Sequence, residues 1–175
     1  RLMPVLLLWP LFHATPAHAQ RVDSVDAAAN QDIVRIGRRS GDQLGDRVAT
    51  GDFNGDGKPD FAIGAPGYAG TNNDRIGAGA VYVFYGNAPY DRTSDLGSTG
   101  TANLIVLGPS AGNNVGIEFT LADLNNDGTS DLISGNPGGN GPLNVDADGD
   151  GTVDPNGLSN RGEVYVLFGG RVRTS

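Results

Sequence analysis

The chain has 175 residues, a formal net charge of −8 and no cysteine, with 20 acidic side chains against 12 basic ones. This length suits one modest domain, and the absence of cysteine excludes disulfides and cysteine nucleophiles. The acidic balance is poorly matched to a phosphate backbone, so we expect no nucleic-acid partner.

The first 19 residues have the three parts of a secretory signal. Arg1 precedes an apolar run at 2–12, and a small-x-small ending lies before the predicted cleavage site after Ala19. We therefore predict a signal peptide at 1–19 and a secreted, periplasmic or cell-surface protein. The alternative is a transmembrane anchor, but the run is shorter than the ~20 residues that span a bilayer. We expect no transmembrane segment in this chain.

The segment after the leader contains two copies of one pattern. Residues 41–57 align without a gap with 112–128, and 79–86 match 162–169. Such internal repetition is typical of arrays whose units stack on one another.

Four segments follow from this repetition. We predict a linker at 20–32, a first repeat at 33–102 and a second repeat at 103–175 with an insertion at 138–160. Because the insertion lies in the second copy only, it is a natural variable element of the surface.

Short β-branched and aromatic runs, separated by Gly, Asn, Asp and Pro, predict strands and no helix after the leader. We place strands near Ile33 to Gly37, Arg47 to Asp52, Asp60 to Ala65, Ala80 to Tyr85, Asn103 to Leu107, Ile117 to Asp123, Asp131 to Ser134 and Glu163 to Phe168. The predicted fold class is all-β, with β-propeller blades of four-stranded antiparallel sheets.

A blade buries both faces only by stacking on neighbours, and propellers close with about four to eight blades. Two repeats do not close a ring, and the sequence begins without Met and ends directly after a strand. We therefore expect a fragment of a longer protein. The alternative is a complete two-unit domain that dimerises or forms a small sandwich.

Three segments share the pattern D-x-[DN]-x-D-G-x-x-D, which brings oxygen atoms together in a tight turn. Hard oxygen ligands in this number suit Ca²⁺, and the glycine at position six permits a sharp turn. The residue at position seven would contribute its backbone carbonyl. The predicted metal ligands are Asp52, Asn54, Asp56, Lys58 and Asp60, then Asp123, Asn125, Asp127, Thr129 and Asp131, then Asp146, Asp148, Asp150, Thr152 and Asp154.

Two other interpretations of these loops exist. Asp, Asn and Gly also favour ordinary β-turns, but turns do not require the same nine-residue oxygen spacing three times. An EF-hand requires Glu at position 12, where this chain has Ile63, Ser134 and Gly157. The third loop differs from the first two because it lies in the insertion and does not lead into a predicted strand.

The stretch 51–66, followed by 79–86, resembles an FG-GAP repeat, the unit of the seven-bladed propeller of integrin α subunits and of many bacterial surface proteins. The resemblance extends over nearly all of 33–169. The family's Phe-Gly is Leu-Gly at 44–45 and Val-Gly at 115–116, and its Gly-Ala-Pro, kept at 64–66, is Gly-Asn-Pro at 135–137. The resemblance implies calcium loops on one rim of the propeller and ligand contacts on the opposite rim.

These observations predict a non-catalytic, calcium-binding module for adhesion, with an extracellular protein or glycan ligand and further FG-GAP repeats of the same polypeptide as partners. The alternative is the non-catalytic propeller part of a larger secreted hydrolase, phospholipase-D-like or polysaccharide-degrading. We expect no enzyme activity in this chain, because the mature chain has no His or Cys. A carboxylate pair could hydrolyse a glycoside, but the sequence gives Glu118 and Glu163 no partner.

Overall fold

The computed structural model describes residues 32–87, 93–97, 101–139 and 162–170. These residues all belong to the unit Asp32–Ser175. The predicted signal peptide at 1–19 and the third loop at 146–154 lie outside the described residues, so both stay predictions.

The described part of the chain contains nine strands and no helix. The strands are β1 (Val34–Ile36), β2 (Val48–Gly51), β3 (Asp60–Ala65), β4 (Ala80–Phe84), β5 (Thr93–Asp95), β6 (Leu104–Leu107), β7 (Glu118–Ala122), β8 (Asp131–Asn136) and β9 (Glu163–Leu167). All eight predicted strands are confirmed, and β5 is an additional one. Among these residues, no helical segment has the length and hydropathy that crossing a membrane demands.

Two antiparallel sheets form the framework. The first has the order β2-β3-β4-β6 and the second has the order β7-β8-β9, while β1 pairs in parallel with β5. The first sheet confirms the predicted four-stranded antiparallel blade. Its fourth strand, however, is β6, which we placed at the start of the second repeat. The pairing of β6 with β4 extends from Ala80 with Leu107 to Val83 with Leu104. The first sheet therefore includes one strand that lies beyond the end of the first sequence repeat.

The two sheets pack face to face around one buried apolar cluster. Its buried members are Phe53, Ala62, Val81, Val83, Val115, Phe119 and Leu132. The first sheet contributes the alternate residues of β3 and β4 that point toward the second sheet, as a period-two strand pattern requires. This burial stabilises the stack and fixes one sheet against the other.

The sheets approach each other closely at two glycines, Gly64 and Gly116. A Cβ atom on Gly64 in β3 would lie 2.0 Å from the carbonyl oxygen of Gly116, two residues before β7. No side chain fits at that distance. Gly64 is therefore required for the observed spacing of the sheets.

The outer face of the second sheet is exposed in the described structure. Val81 and Val83 of β4 are both 0% exposed, because the second sheet covers them. Their equivalents in β9, Val164 and Val166, are 67% and 43% exposed. The same positions of the repeat are thus buried in the first sheet and exposed in the second sheet.

Candidate functional site

The first two predicted metal loops connect neighbouring strands. The loop Asp52–Asp60 joins β2 to β3, and the loop Asp123–Asp131 joins β7 to β8. Both loops adopt a left-handed backbone at position four, where Gly55 has φ 78° and Asn126 has φ 59°. Both do so again at the glycine of position six. The two loops therefore share one backbone shape, with the residues that such a conformation favours.

The aspartate at position one organises each loop through its side chain. Asp52 Oδ1 accepts hydrogen bonds from the amides of Gly55 (2.7 Å) and Asp56 (3.1 Å), and Oδ2 accepts one from Gly57 (2.8 Å). Asn54 Oδ1 also accepts a bond from the Asp56 amide, at 3.0 Å. The oxygen atoms of positions one and three are thus brought together at the amide of position five.

The second loop repeats this arrangement. Asp123 Oδ1 accepts a bond from the Asp127 amide at 3.2 Å, and Oδ2 accepts one from Gly128 at 2.9 Å. Asn125 Oδ1 accepts a second bond from the Asp127 amide at 3.0 Å. The two loops therefore share these hydrogen bonds as well as the sequence pattern. The nonapeptide pattern determines a defined local structure.

The aspartate at position nine is buried and holds the loop to a more distant part of its sheet. Asp60 is 1% exposed, and its Oδ2 accepts bonds from the amides of Phe53 (2.9 Å) and Asn54 (3.1 Å). Its Oδ1 accepts a bond from Gly86, which follows β4, at 2.8 Å. Charge-assisted bonds of this kind are strong when the carboxylate is buried.

Asp131 makes the equivalent bonds in the second loop. It is 0% exposed and accepts the amide of Leu124 at 2.8 Å and the amide of Gly169, which follows β9, at 2.9 Å. Sequence reasoning placed Asp60 and Asp131 among the metal ligands but did not find these backbone partners, because Gly86 and Gly169 are remote in sequence.

The donor set of the loops fits a hard cation in its chemistry. Positions one, three and five offer only carboxylate and amide oxygens, and the side chains at positions three and five are in contact. Asn54 Nδ2 lies 3.0 Å from Asp56 Oδ2, and Asn125 Nδ2 lies 2.8 Å from Asp127 Oδ2. Across the described ranges, no three His, Cys, Asp or Glu side chains are grouped to hold a metal ion. A cation would therefore depend on amide and backbone oxygens as well as on carboxylates.

The two loops are in direct contact with each other. The amide of Ser130, at position eight of the second loop, donates to the carbonyl oxygen of Asp52 at 2.7 Å. The amide of Gly170, directly after Gly169, donates to the carbonyl oxygen of Phe53 at 2.8 Å. The loops thus form a hydrogen-bonded pair on one rim of the stacked sheets.

A cavity of about 520 Å³ lies at the other end of the second sheet. It is lined by Ile117, Glu118, Gly135, Asn136, Pro137, Gly162, Glu163 and Val164. The strand registers pair Ala122 with Asp131 at the loop end and Asn136 with Glu163 at the cavity end. The cavity is therefore on the rim opposite to the loops.

The two glutamates at this cavity have partners that the sequence did not reveal. Glu118 forms an exposed ion pair with Arg47 of the first sheet at 2.9 Å. Glu163 Oε2 accepts bonds from Asn136 Nδ2, at 2.8 Å, and from the Tyr165 hydroxyl. Burial and then the bond to Glu163 raise the pKa of the Tyr165 hydroxyl.

The polar pair at the cavity is specific to the second sheet. Asn136 and Glu163 are cross-strand neighbours, and the equivalent pair in the first sheet is Ala65 with Ala80. The amide oxygen of the Asn136 side chain, Oδ1, is buried and has no hydrogen-bond partner among the described residues. The second sheet thus has polar chemistry at a position where the first has only methyl groups.

The paired strands and the repeated loops define an all-β molecule that contains an FG-GAP repeat. The FG-GAP repeat family model matches residues 44–84, which contain β2, the first loop, β3 and β4.

Curated relatives of this chain include phosphatidylinositol-glycan-specific phospholipase D from three mammals. The identity is 32% over 129 residues for the Homo sapiens protein, 33% over 129 residues for Bos taurus and 32% over 136 residues for Rattus norvegicus. These matches cover 74%, 74% and 76% of this chain. The chain spans only 14% of the length of each relative.

Proposed function

We propose that this chain is an exported, calcium-stabilised FG-GAP module that presents a rigid surface to an extracellular protein or glycan and has no catalytic activity of its own. The observation that carries the proposal is the pair of nonapeptide loops, which share sequence, backbone shape and hydrogen bonds. Each loop lies at a junction between strands, where a bound cation would stabilise the sheet.

The residues that would hold the cation follow the pattern of each loop. Side-chain oxygens would come from Asp52, Asn54 and Asp56, and a backbone carbonyl oxygen would come from Lys58. The Asp60 carboxylate accepts three N–H bonds and would coordinate the cation with its remaining lone pairs. Asp123, Asn125, Asp127, Thr129 and Asp131 are the equivalent set. The cation would neutralise the exposed carboxylates of the loop and stabilise the turn that Asp52 or Asp123 organises.

Calcium titration of the full chain tests the metal part of this proposal. Because a ligand that binds only the folded state adds RT ln(1 + [L]/Kd), each site adds about 1.4 kcal/mol at ten times its Kd. We expect millimolar Ca²⁺ to raise the free energy of unfolding relative to EDTA, and equal Mg²⁺ to raise it less, because Mg²⁺ dehydrates reluctantly.

Two variants make this titration specific. The double variant Asp52→Asn with Asp123→Asn should lose most of the calcium response, whereas Asp74→Asn, in an exposed turn outside both loops, should keep it. Equal unfolding free energies of the unsubstituted chain in EDTA and in several millimolar Ca²⁺ would show that these loops are not calcium sites.

The rim opposite to the loops supports the binding part of the proposal. Its cavity combines apolar walls with Glu118, Glu163 and the amide of Asn136, a mixture that suits a ligand with both nonpolar and hydrogen-bonding surface. A glycan array or a panel of extracellular matrix proteins, compared between the unsubstituted chain and Glu163→Gln, measures whether this rim selects a ligand.

The relatives favour a second candidate, a non-catalytic part of a larger secreted hydrolase. Their names describe a phospholipase D acting on phosphatidylinositol glycan, and this chain matches only a small share of each. Assays of generic glycosides and phosphodiesters with the isolated chain should show no turnover. Turnover that disappears in Glu118→Gln or Glu163→Gln would contradict the non-catalytic assignment.

The exposed outer face of the second sheet supports the proposal that further FG-GAP repeats of the same polypeptide are partners. In the first sheet, the equivalent face is covered by a sheet of the same type. A third sheet with an apolar inner face like that of β7, β8 and β9 would cover Val164 and Val166 in the same manner.

A further inference from the structure

The first loop accepts a hydrogen bond from a residue of the second loop. Ser130 belongs to the second loop, but its amide donates to the carbonyl oxygen of Asp52 at 2.7 Å. Asp52 is also the residue whose side chain binds the amides of Gly55, Asp56 and Gly57. A group of the second sheet thus restrains the residue that organises the first loop.

The contact between the loops is close as well as hydrogen-bonded. A Cβ on Gly51, which precedes Asp52, would lie 2.5 Å from Ser130 Oγ, and a Cβ on Gly55 would lie 2.8 Å from Thr129 Cγ2. The first loop therefore has little room to move relative to the second one.

We propose that Ser130 is a positioning residue of the first metal loop, so that the cation affinity of this loop depends on a backbone N–H from the neighbouring sheet. The inference rests on the proposed calcium function. A restrained Asp52 carbonyl keeps the Asp52 side chain on its three amides, and the loop is preorganised at lower entropic cost. Loss of the bond should weaken first-loop affinity by about 3- to 10-fold, the range expected for one net hydrogen bond.

The chain itself supplies a variant that removes this donor. Pro59 is the residue of the first loop equivalent to Ser130, so this position of the nonapeptide accepts proline. Ser130→Pro deletes the N–H at a position whose equivalent is proline, and its Cδ also pushes the Asp52 carbonyl away, so both changes remove the support from the second loop. Ser130→Ala is the matched control, because it removes the hydroxyl and keeps the N–H.

Amide hydrogen exchange of the full chain measures the effect at individual sites. The Gly55 and Gly57 amides report on the first loop, Gly128 on the second, and Val83 on the core. In calcium-free buffer, we expect Ser130→Pro to speed exchange of Gly55 and Gly57 by about 3- to 10-fold relative to Val83. Ser130→Ala should exchange like the unsubstituted chain.

Calcium titration monitored at the same amides completes the test. The first-loop midpoint should rise by about the same factor in Ser130→Pro, while Ser130→Ala leaves it unchanged. Unchanged exchange of Gly55 and Gly57, or equal acceleration at Val83, would overturn the positioning role. If the unsubstituted chain shows no calcium response, the calcium function is wrong, and the calcium-free exchange still decides the role of Ser130.

A reciprocal variant covers the case in which Ser130→Pro does not fold. Asp52→Asn lies in the first loop and weakens its hydrogen bonds without changing the second loop. It should speed exchange of the Ser130 amide, because linkage between two coupled elements acts in both directions. A Ser130 amide that exchanges equally in Asp52→Asn and in the unsubstituted chain would also overturn the proposal.

Discussion

Asp60 and Asp131 show how one side chain joins the parts of a repeat. Each is buried and accepts backbone N–H bonds both from the start of its own loop and from the glycine that follows the third strand of its sheet. The carboxylate thus fixes the loop through N–H groups of the chain itself. This anchoring is separate from the role of the carboxylates at positions one and five.

Asp60→Asn tests this anchoring role. An amide nitrogen in place of either carboxylate oxygen would face an N–H donor, so buried donors would lose their acceptor at a cost of about 2 to 3 kcal/mol. Urea unfolding in EDTA should show this loss, and the exposed Asp56→Asn should stay within about 0.5 kcal/mol of the unsubstituted chain. Equal stability of Asp60→Asn and Asp56→Asn in EDTA would show that the position-nine carboxylate is not an anchor.

The sequence could predict which residues carry oxygen atoms, but not the atoms they contact. The loop pattern correctly indicated turns between strands, because Asp, Asn and Gly at those spacings fix a local conformation. Gly86, Arg47 and Asn136, which contact Asp60, Glu118 and Glu163 respectively, come from remote segments, and local spacing contains no information about them. A signal was nevertheless present, since the paired change from Ala65 and Ala80 to Asn136 and Glu163 marks two positions that are in contact.

At the scale of elements, strand positions were predictable and strand partners less so. Apolar and β-branched runs located eight strands, but Thr93–Asp95 is short and polar and gives no such pattern. The placement of β6 in the first sheet depends on its pairing with β4 across the sheet, which the repeat spacing alone does not determine.

The glycine that separates the two sheets gives a matched pair of substitutions. Gly64→Ala would place a methyl group 2.0 Å from the Gly116 carbonyl oxygen, whereas the equivalent Gly135→Ala would have its nearest neighbours 3.9 Å away. We expect Gly64→Ala to lower the free energy of unfolding by about 3 kcal/mol or more. Gly135→Ala should be neutral or stabilising by about 0.5 kcal/mol. Denaturant titration of both variants measures the difference, and equal effects would contradict the close approach of the sheets.

At the scale of the whole molecule, the outer face of β9 is uncovered in the described structure. Val164 and Val166 lie on the outer face of the second sheet, whereas the equivalent Val81 and Val83 of the first sheet are completely buried beneath the second sheet. An exposed apolar sheet face promotes association. We therefore propose that this face is an interface.

Threonine substitutions at these four positions test the interface. Val81→Thr and Val83→Thr bury a hydroxyl in an apolar site and should each cost about 1 to 3 kcal/mol. Val164→Thr and Val166→Thr should stay within about 0.5 kcal/mol and should reduce self-association measured by sedimentation velocity. If a longer polypeptide with a following repeat still tolerated Val164→Thr at no cost, the proposed covering sheet would be absent.

The proline at position eight of the first loop limits which loop can donate a hydrogen bond to its neighbour. Pro59 has no N–H, so the bond that Ser130 provides to the sheet before it has no counterpart from the first loop. The hydrogen bonds between the units on this rim therefore have one direction: the later unit is the donor and the earlier unit is the acceptor. If further units were added before this one, the seam at Pro59 would be the weakest along the edge, and opening under heat or force should start there.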